Sequence, residues 1–120
     1  MAIVSMIFTL IVALEFFYIM YLETIATTSD TTSRVFNMNK DELERKSTKV
    51  LFKNQGIYNG LIGVGLLYST FFATASLEIT RLLLIYIILV ALYGSVTSSK
   101  KIILTQGGPA IIALITTLFL

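Results

Sequence analysis

The stretch MAIVSMIFTLIVALEFFYIMYL, residues 1–22, decides the fold. It is almost wholly apolar, interrupted by Glu15 and a few hydroxyls. As a helix rising about 1.5 Å per residue, it can cross a bilayer core of roughly 30 Å. A cleaved signal peptide is the rival reading, but that needs a basic leading segment, and the first Lys or Arg is Arg34. Working outward, three more apolar runs follow, at about residues 50–72, 79–97 and 102–120. The whole chain agrees: 120 residues, 56% hydrophobic, only 13% charged, with a mean hydropathy of +0.85. A soluble domain carries about 25% charged residues, and a small one must cover a large share of its surface with polar groups. These numbers exclude an ordinary soluble protein, a disordered chain and a nucleic-acid binder. The expectation is a single all-α domain over residues 1–120, an integral membrane four-helix bundle, with the lipid bilayer as its first partner.

The only long connection, residues 23–49, opens with a Thr/Ser-rich stretch, 24–33, that reads as loop. From Asn39 a helix is predicted to start and run straight into the second span. Asn39 and Glu42 have the spacing of a capping box, and Met38 and Leu43 sit at its staple positions. Asp41 and Glu42 fall in the first turn, where the helix dipole favours acids. Lys and Arg then fix the orientation. The first connection and its junction hold Arg34, Lys40, Arg45, Lys46, Lys49 and Lys53; the second holds Arg81; the third holds Lys100 and Lys101. By the positive-inside rule the first and third connections are cytosolic and both termini lie on the outer side.

That topology turns sequence position into depth. Glu15, Asn54, Gln55, Asn59, Tyr93 and Gln106 all fall in the cytoplasmic half of the bilayer. On the second span Asn54, Gln55, Tyr58 and Asn59 cover an arc of about 140°. Gly56, Gly60 and Gly63 are expected on the other side, with Gly56 and Gly60 forming a G-x-x-x-G that brings helix backbones close. Structural readings stand beside these: the amides as interhelical glue, the glycines as packing alone, and Tyr18, Tyr21, Tyr68, Phe71 and Phe72 as interfacial belts. The basic connection reads chiefly as a topology signal, with lipid-headgroup contact as the sharper alternative.

Glu15 stands apart, because a carboxyl inside a span is costly and is by default a functional hypothesis. Its structural alternative is a protonated or amide-bonded acid. Lys53 could reach the inner boundary and pair with Glu23 more easily than with Glu15. In the fourth span Pro109, preceded by Gly107 and Gly108, predicts a kink or break, leaving about 12 helical residues beyond it. Neither Cys nor His occurs, so disulfides, thiol redox chemistry and imidazole metal, haem or base chemistry are excluded. No metal and no cofactor is expected.

The strings Ala13-Leu14-Glu15, Tyr18-Ile19-Met20-Tyr21-Leu22-Glu23, Arg34-Val35-Phe36, Asn54-Gln55-Gly56-Ile57-Tyr58-Asn59-Gly60 and Gln106-Gly107-Gly108-Pro109-Ala110 resemble a bacterial membrane family, catalogued as domain of unknown function 1304. The resemblance covers nearly the whole chain. It implies a small four-helix protein of the inner membrane and carries no activity with it. Members often have a His directly after the first-span Glu; here that position is Phe16, so any imidazole chemistry of relatives would be absent.

Three functions compete. The leading expectation is a binding or transport module. Glu15, Asn54, Gln55, Tyr58, Asn59, Tyr93 and Gln106 would line a cytosol-facing intramembrane pocket for a lipid or a small amphipathic or cationic molecule. The alternative is a scaffold subunit, as a homodimer or on a larger membrane partner, docking through its glycine faces. The third is a lipid- or quinone-acting enzyme with Glu15 as acid/base, helped by Tyr58 or Tyr93.

Overall fold

A computed structural model describes residues 1–98, 101 and 103–120. Lys100, counted above in the third connection, and Ile102, the expected first residue of the fourth span, lie outside the described residues. Every regular element among the described residues is helical. Helix α1 spans Ile3–Thr24, α2 Asp30–Phe36, α3 Lys40–Leu43, α4 Lys46–Phe71 and α5 Ser76–Thr97. A π turn, Ile103–Gly107, then leads into α6, Gly108–Phe119. Two of these helices, Ile3–Thr24 and Ser76–Thr97, are long and apolar enough to cross a membrane. Helix α4 is longer, at 26 residues, but Lys46, Lys49, Lys53, Asn54, Gln55 and Asn59 make its first half polar.

The chain divides into two compact units: Phe16–Ile62, and Met1–Glu15 with Gly63–Leu120. In Phe16–Ile62 the connection after α1 holds more helix than its composition predicts. Ser29 caps α2, accepting the Thr32 amide at 3.1 Å, and Asn37 ends it in the left-handed conformation at φ 53°. The expected loop is therefore helical from Asp30 onward, because Ser29 supplies the acceptor that an N-terminus needs. The Thr32 hydroxyl lies 2.6 Å from the Ala26 carbonyl and 3.1 Å from that of Leu22. It thereby satisfies backbone oxygens at the C-terminal end of α1.

The helix predicted to run from Asn39 into the second span is broken. Asn39 occupies the N-cap of α3 without a side-chain cap bond, so the capping box does not form. Helix α3 closes after Leu43, where the Glu44 amide bonds the Lys40 carbonyl at 2.9 Å and the Arg45 amide bonds that of Glu42 at 3.3 Å. Leu43, fully buried, takes the turn inward, and α4 starts afresh at Lys46. Phe36 and Phe52 meet edge to face at 5.2 Å, fastening α2 to α4.

In the other unit α5 buries Thr80, Leu84, Ile87 and Ala91, a single face at helical spacing. Helix α6 buries Ala110, Ala113, Thr116 and Thr117, and α5 packs on both α6 and the π turn. Ser69 and Thr80 share a hydrogen bond of 2.8 Å between α4 and α5. The Arg81 guanidinium donates to the carbonyl and hydroxyl oxygens of Thr117, a cation on the negative end of α6. The break expected at Pro109 takes the form of the π turn. Proline has no N–H to return to the carbonyl four residues back, so the backbone widens before it, and α6 keeps 12 residues.

Candidate functional site

One polar cluster centres on Glu23, one residue before the end of α1. Its side chain is fully buried, at 0% exposure. Gln55 Nε2 donates to Oε2 at 2.6 Å, and Asn59 Nδ2 donates to Oε1 at 2.6 Å. Gln55 and Asn59 are four residues apart on α4, so both amides project from one face. Each carboxyl oxygen has one donor and both donors are neutral, so the amides satisfy hydrogen bonding without supplying a countercharge. Lys53, expected as the partner of Glu23, is exposed and forms no ion pair with it among the described residues.

Glycines let the helices close on this cluster. A Cβ on Gly56 would stand 2.5 Å from Thr24 Cγ2, 3.1 Å from Glu23 Cβ and 3.3 Å from the Met20 carbonyl. One on Gly60 would collide with the Met20 thioether. The Thr24 and Thr27 hydroxyls bond the carbonyls of Met20 and Glu23 at 2.6 and 2.8 Å. Both bonds reach back four residues and satisfy carbonyls near the end of α1.

This arrangement redraws the predicted faces of α4. The amides and the glycines are on one side, since Gln55, Asn59, Gly56 and Gly60 together span about 140°. Asn54 and Tyr58 lie outside that arc and are exposed, Tyr58 at 73%. The acid that the two amides bond is Glu23, which the longer α1 carries as part of the helix. Gly63 is buried, Gln106 is half-buried in the π turn, and Tyr93 is 72% exposed.

Sequence reasoning assigned Glu23 to the start of the connection. A signal for it existed. Val12, Phe16, Ile19 and Glu23 recur at core spacing along α1, and all four are buried.

Glu15 has the opposite environment. It is half-buried, and its Oε1 is buried with no hydrogen-bond partner among the described residues. Ser5 Oγ and Thr9 Oγ1, on the same helix, are also buried and unpartnered. Among the described residues no three His, Cys, Asp or Glu side chains converge as a metal site. Outside the long helices, Lys40 sits 2.7 Å from Asp30. That hydrogen-bonded pair holds the Asp30 carboxyl below its usual range and the Lys40 ammonium above its own.

An all-helical chain with apolar helices and intrahelical acids agrees with the resemblance drawn from the sequence. The chain belongs to the family described as "Protein of unknown function (DUF1304)", which it matches over residues 10–118. It is 74% identical over 119 residues to the uncharacterized protein YpaA of Lactococcus lactis subsp. lactis (strain IL1403), covering 99% of this chain and 100% of that one. No solved structure matches it.

Proposed function

We propose that this chain is a four-span protein of the bacterial inner membrane that binds or transports a small amphipathic or cationic molecule, with Glu15 as the group that receives it. The observation that carries the reading is the contrast between the two acids of α1. Glu23 has a donor on each oxygen, whereas a buried oxygen of Glu15 has none. A buried acceptor without a partner costs about 1–3 kcal/mol. A ligand carrying a positive charge or an N–H group would offset that cost.

The four-span reading has its own support. Helix α4, at 26 residues, exceeds a bilayer core in length. The π turn and α6 continue the apolar sequence to residue 119. Of the nine Lys and Arg residues, eight fall in the first and third connections or their junctions. That bias favours a cytosolic first connection and termini on the outer side.

The scaffold reading is weaker. The glycines meant to dock a partner, Gly56 and Gly60, are already occupied by Thr24 and Met20 of the same chain. Against the enzyme reading, Tyr58 is exposed, and the side chains that bond the buried acid are Gln55 and Asn59.

The test is equilibrium binding of tetraphenylphosphonium, a lipophilic cation, to the purified chain in detergent. Wild type is expected to bind saturably. Glu15→Gln is expected to stay folded and lose binding, because the amide keeps the shape but not the charge. No saturable binding by wild type, or binding unchanged in Glu15→Gln, overturns the reading and leaves the scaffold in front.

A further inference from the structure

We infer that the cytosolic end of α4 is a binding site for an anionic phospholipid, with its headgroup on Lys46, Lys49 and Lys53 and an acyl chain along Ile57 and Leu61. The inference rests on α4 crossing the membrane and is independent of Glu15.

Residues 46–53 carry three positive charges and no negative one. Spaced three and four apart, the lysines share an arc of about 60° and form a row two turns long. Among the described residues no acid forms an ion pair with them. Among the described residues of this region the ion pairs are Lys40 with Asp30 at 2.7 Å and Arg45 with Glu42 at 3.3 Å. Neither includes a lysine of the row. Lys46 and Lys53 are exposed and Lys49 is half-buried.

This is an unfavourable place for three cations. Like charges at this spacing repel, and the row stands at the positive end of a helix with no acid in its first turn. An anion laid across the row reverses both terms. Three ammonium groups offer donors to phosphate oxygens as adaptable point charges, at the depth where lysines reach from a span toward headgroups.

The same flank continues as Ile57 and Leu61, 54% and 62% exposed. A ligand that follows the flank must therefore be anionic at one end and apolar beyond it. A phospholipid with a net negative charge has that pattern. Phosphatidylcholine has the chain and the phosphate, but its own cation opposes the row.

The experiment uses the full chain reconstituted in phosphatidylcholine vesicles, with electron paramagnetic resonance of spin-labelled phosphatidylglycerol or spin-labelled phosphatidylcholine. The motionally restricted lipid should favour phosphatidylglycerol by at least about fivefold, the attraction expected of one basic residue near the surface. Lys46→Gln/Lys49→Gln/Lys53→Gln should abolish the preference with the helical circular dichroism unchanged. If the triple variant does not fold, Lys53→Gln alone must lower the preference.

Lys40→Gln, which removes a cation already paired with Asp30, should leave the preference intact, and so should Glu15→Gln. Loss of preference in Glu15→Gln would place the lipid at the other site and overturn the inference. So would equal affinity for both labels, or a preference that survives the triple variant. Inorganic phosphate at constant ionic strength should not compete; if it removes the preference, the row is a phosphate site instead of a lipid site. Absence of any restricted lipid would overturn the membrane reading itself.

Discussion

Glu15 and Glu23 stand on one helix, eight positions apart, and removing each should have a different effect. Glu23→Ala removes the acceptor of both the exposed Gln55 amide and the half-buried Asn59 amide, a loss of about 2 kcal/mol for two hydrogen bonds. Glu15→Leu deletes an oxygen that had no partner, so its cost should stay within about 1 kcal/mol. Unfolding by sodium dodecyl sulfate titration, followed by circular dichroism, separates the two. Equal losses would mean that the two acids have equivalent surroundings. The importance of an acid inside α1 was legible from hydropathy, but which acid the amides would choose was not. Polarity marks a residue as needing a partner, and only the relative level of two helices says which partner arrives.

Glycines on the helices differ in the same way, by what stands opposite them. At Gly56 a methyl group would press on Thr24 and on the Met20 carbonyl; backbone cannot swing aside as a side chain can. Gly56→Ala should cost about 1–3 kcal/mol through overpacking. At Gly108, the first residue of α6, a methyl meets nothing within 4 Å, and no glycine among the described residues has a positive φ. Gly108→Ala should be neutral or stabilise by about 0.4–1 kcal/mol, through the unfolded chain. Detergent melts of the two variants side by side check the pair.

The long helices themselves were legible to within a few residues, because apolar length and Pro109 are local signals. The division of α3 from α4 was not. Asp41, Glu42 and Leu43 satisfy every local rule for a helix start, and the break depends on Leu43 being drawn into the interior. For the faces of α4, the four polar side chains were grouped by chemistry. The fold groups them by contact: Gln55 and Asn59, on the side of Gly56 and Gly60, bond Glu23, and Asn54 and Tyr58 lie outside that arc.

For the molecule as a whole, orientation is the first quantity to measure. The chain has no cysteine, so single Cys probes report cleanly. Ser47→Cys should react with a membrane-impermeant maleimide only after cells are opened, and Thr74→Cys should react in intact cells; both sites are exposed. The reverse pattern would invert the topology.

The bond between Glu23 and its amides also sets an order of events in time. Gln55 and Asn59 follow the acid by 32 and 36 residues. At about 5–20 residues per second, α1 leaves the ribosome some seconds before its partners exist. On the four-span reading the first helix therefore enters the bilayer with an unanswered carboxyl near its inner end, and its residence there is provisional until α4 is synthesised. A nascent chain truncated after Lys49 should be extracted from inverted membrane vesicles by alkaline carbonate, while the same truncation carrying Glu23→Leu and the full-length chain should both resist. In this protein the second helix inserted would complete the insertion of the first.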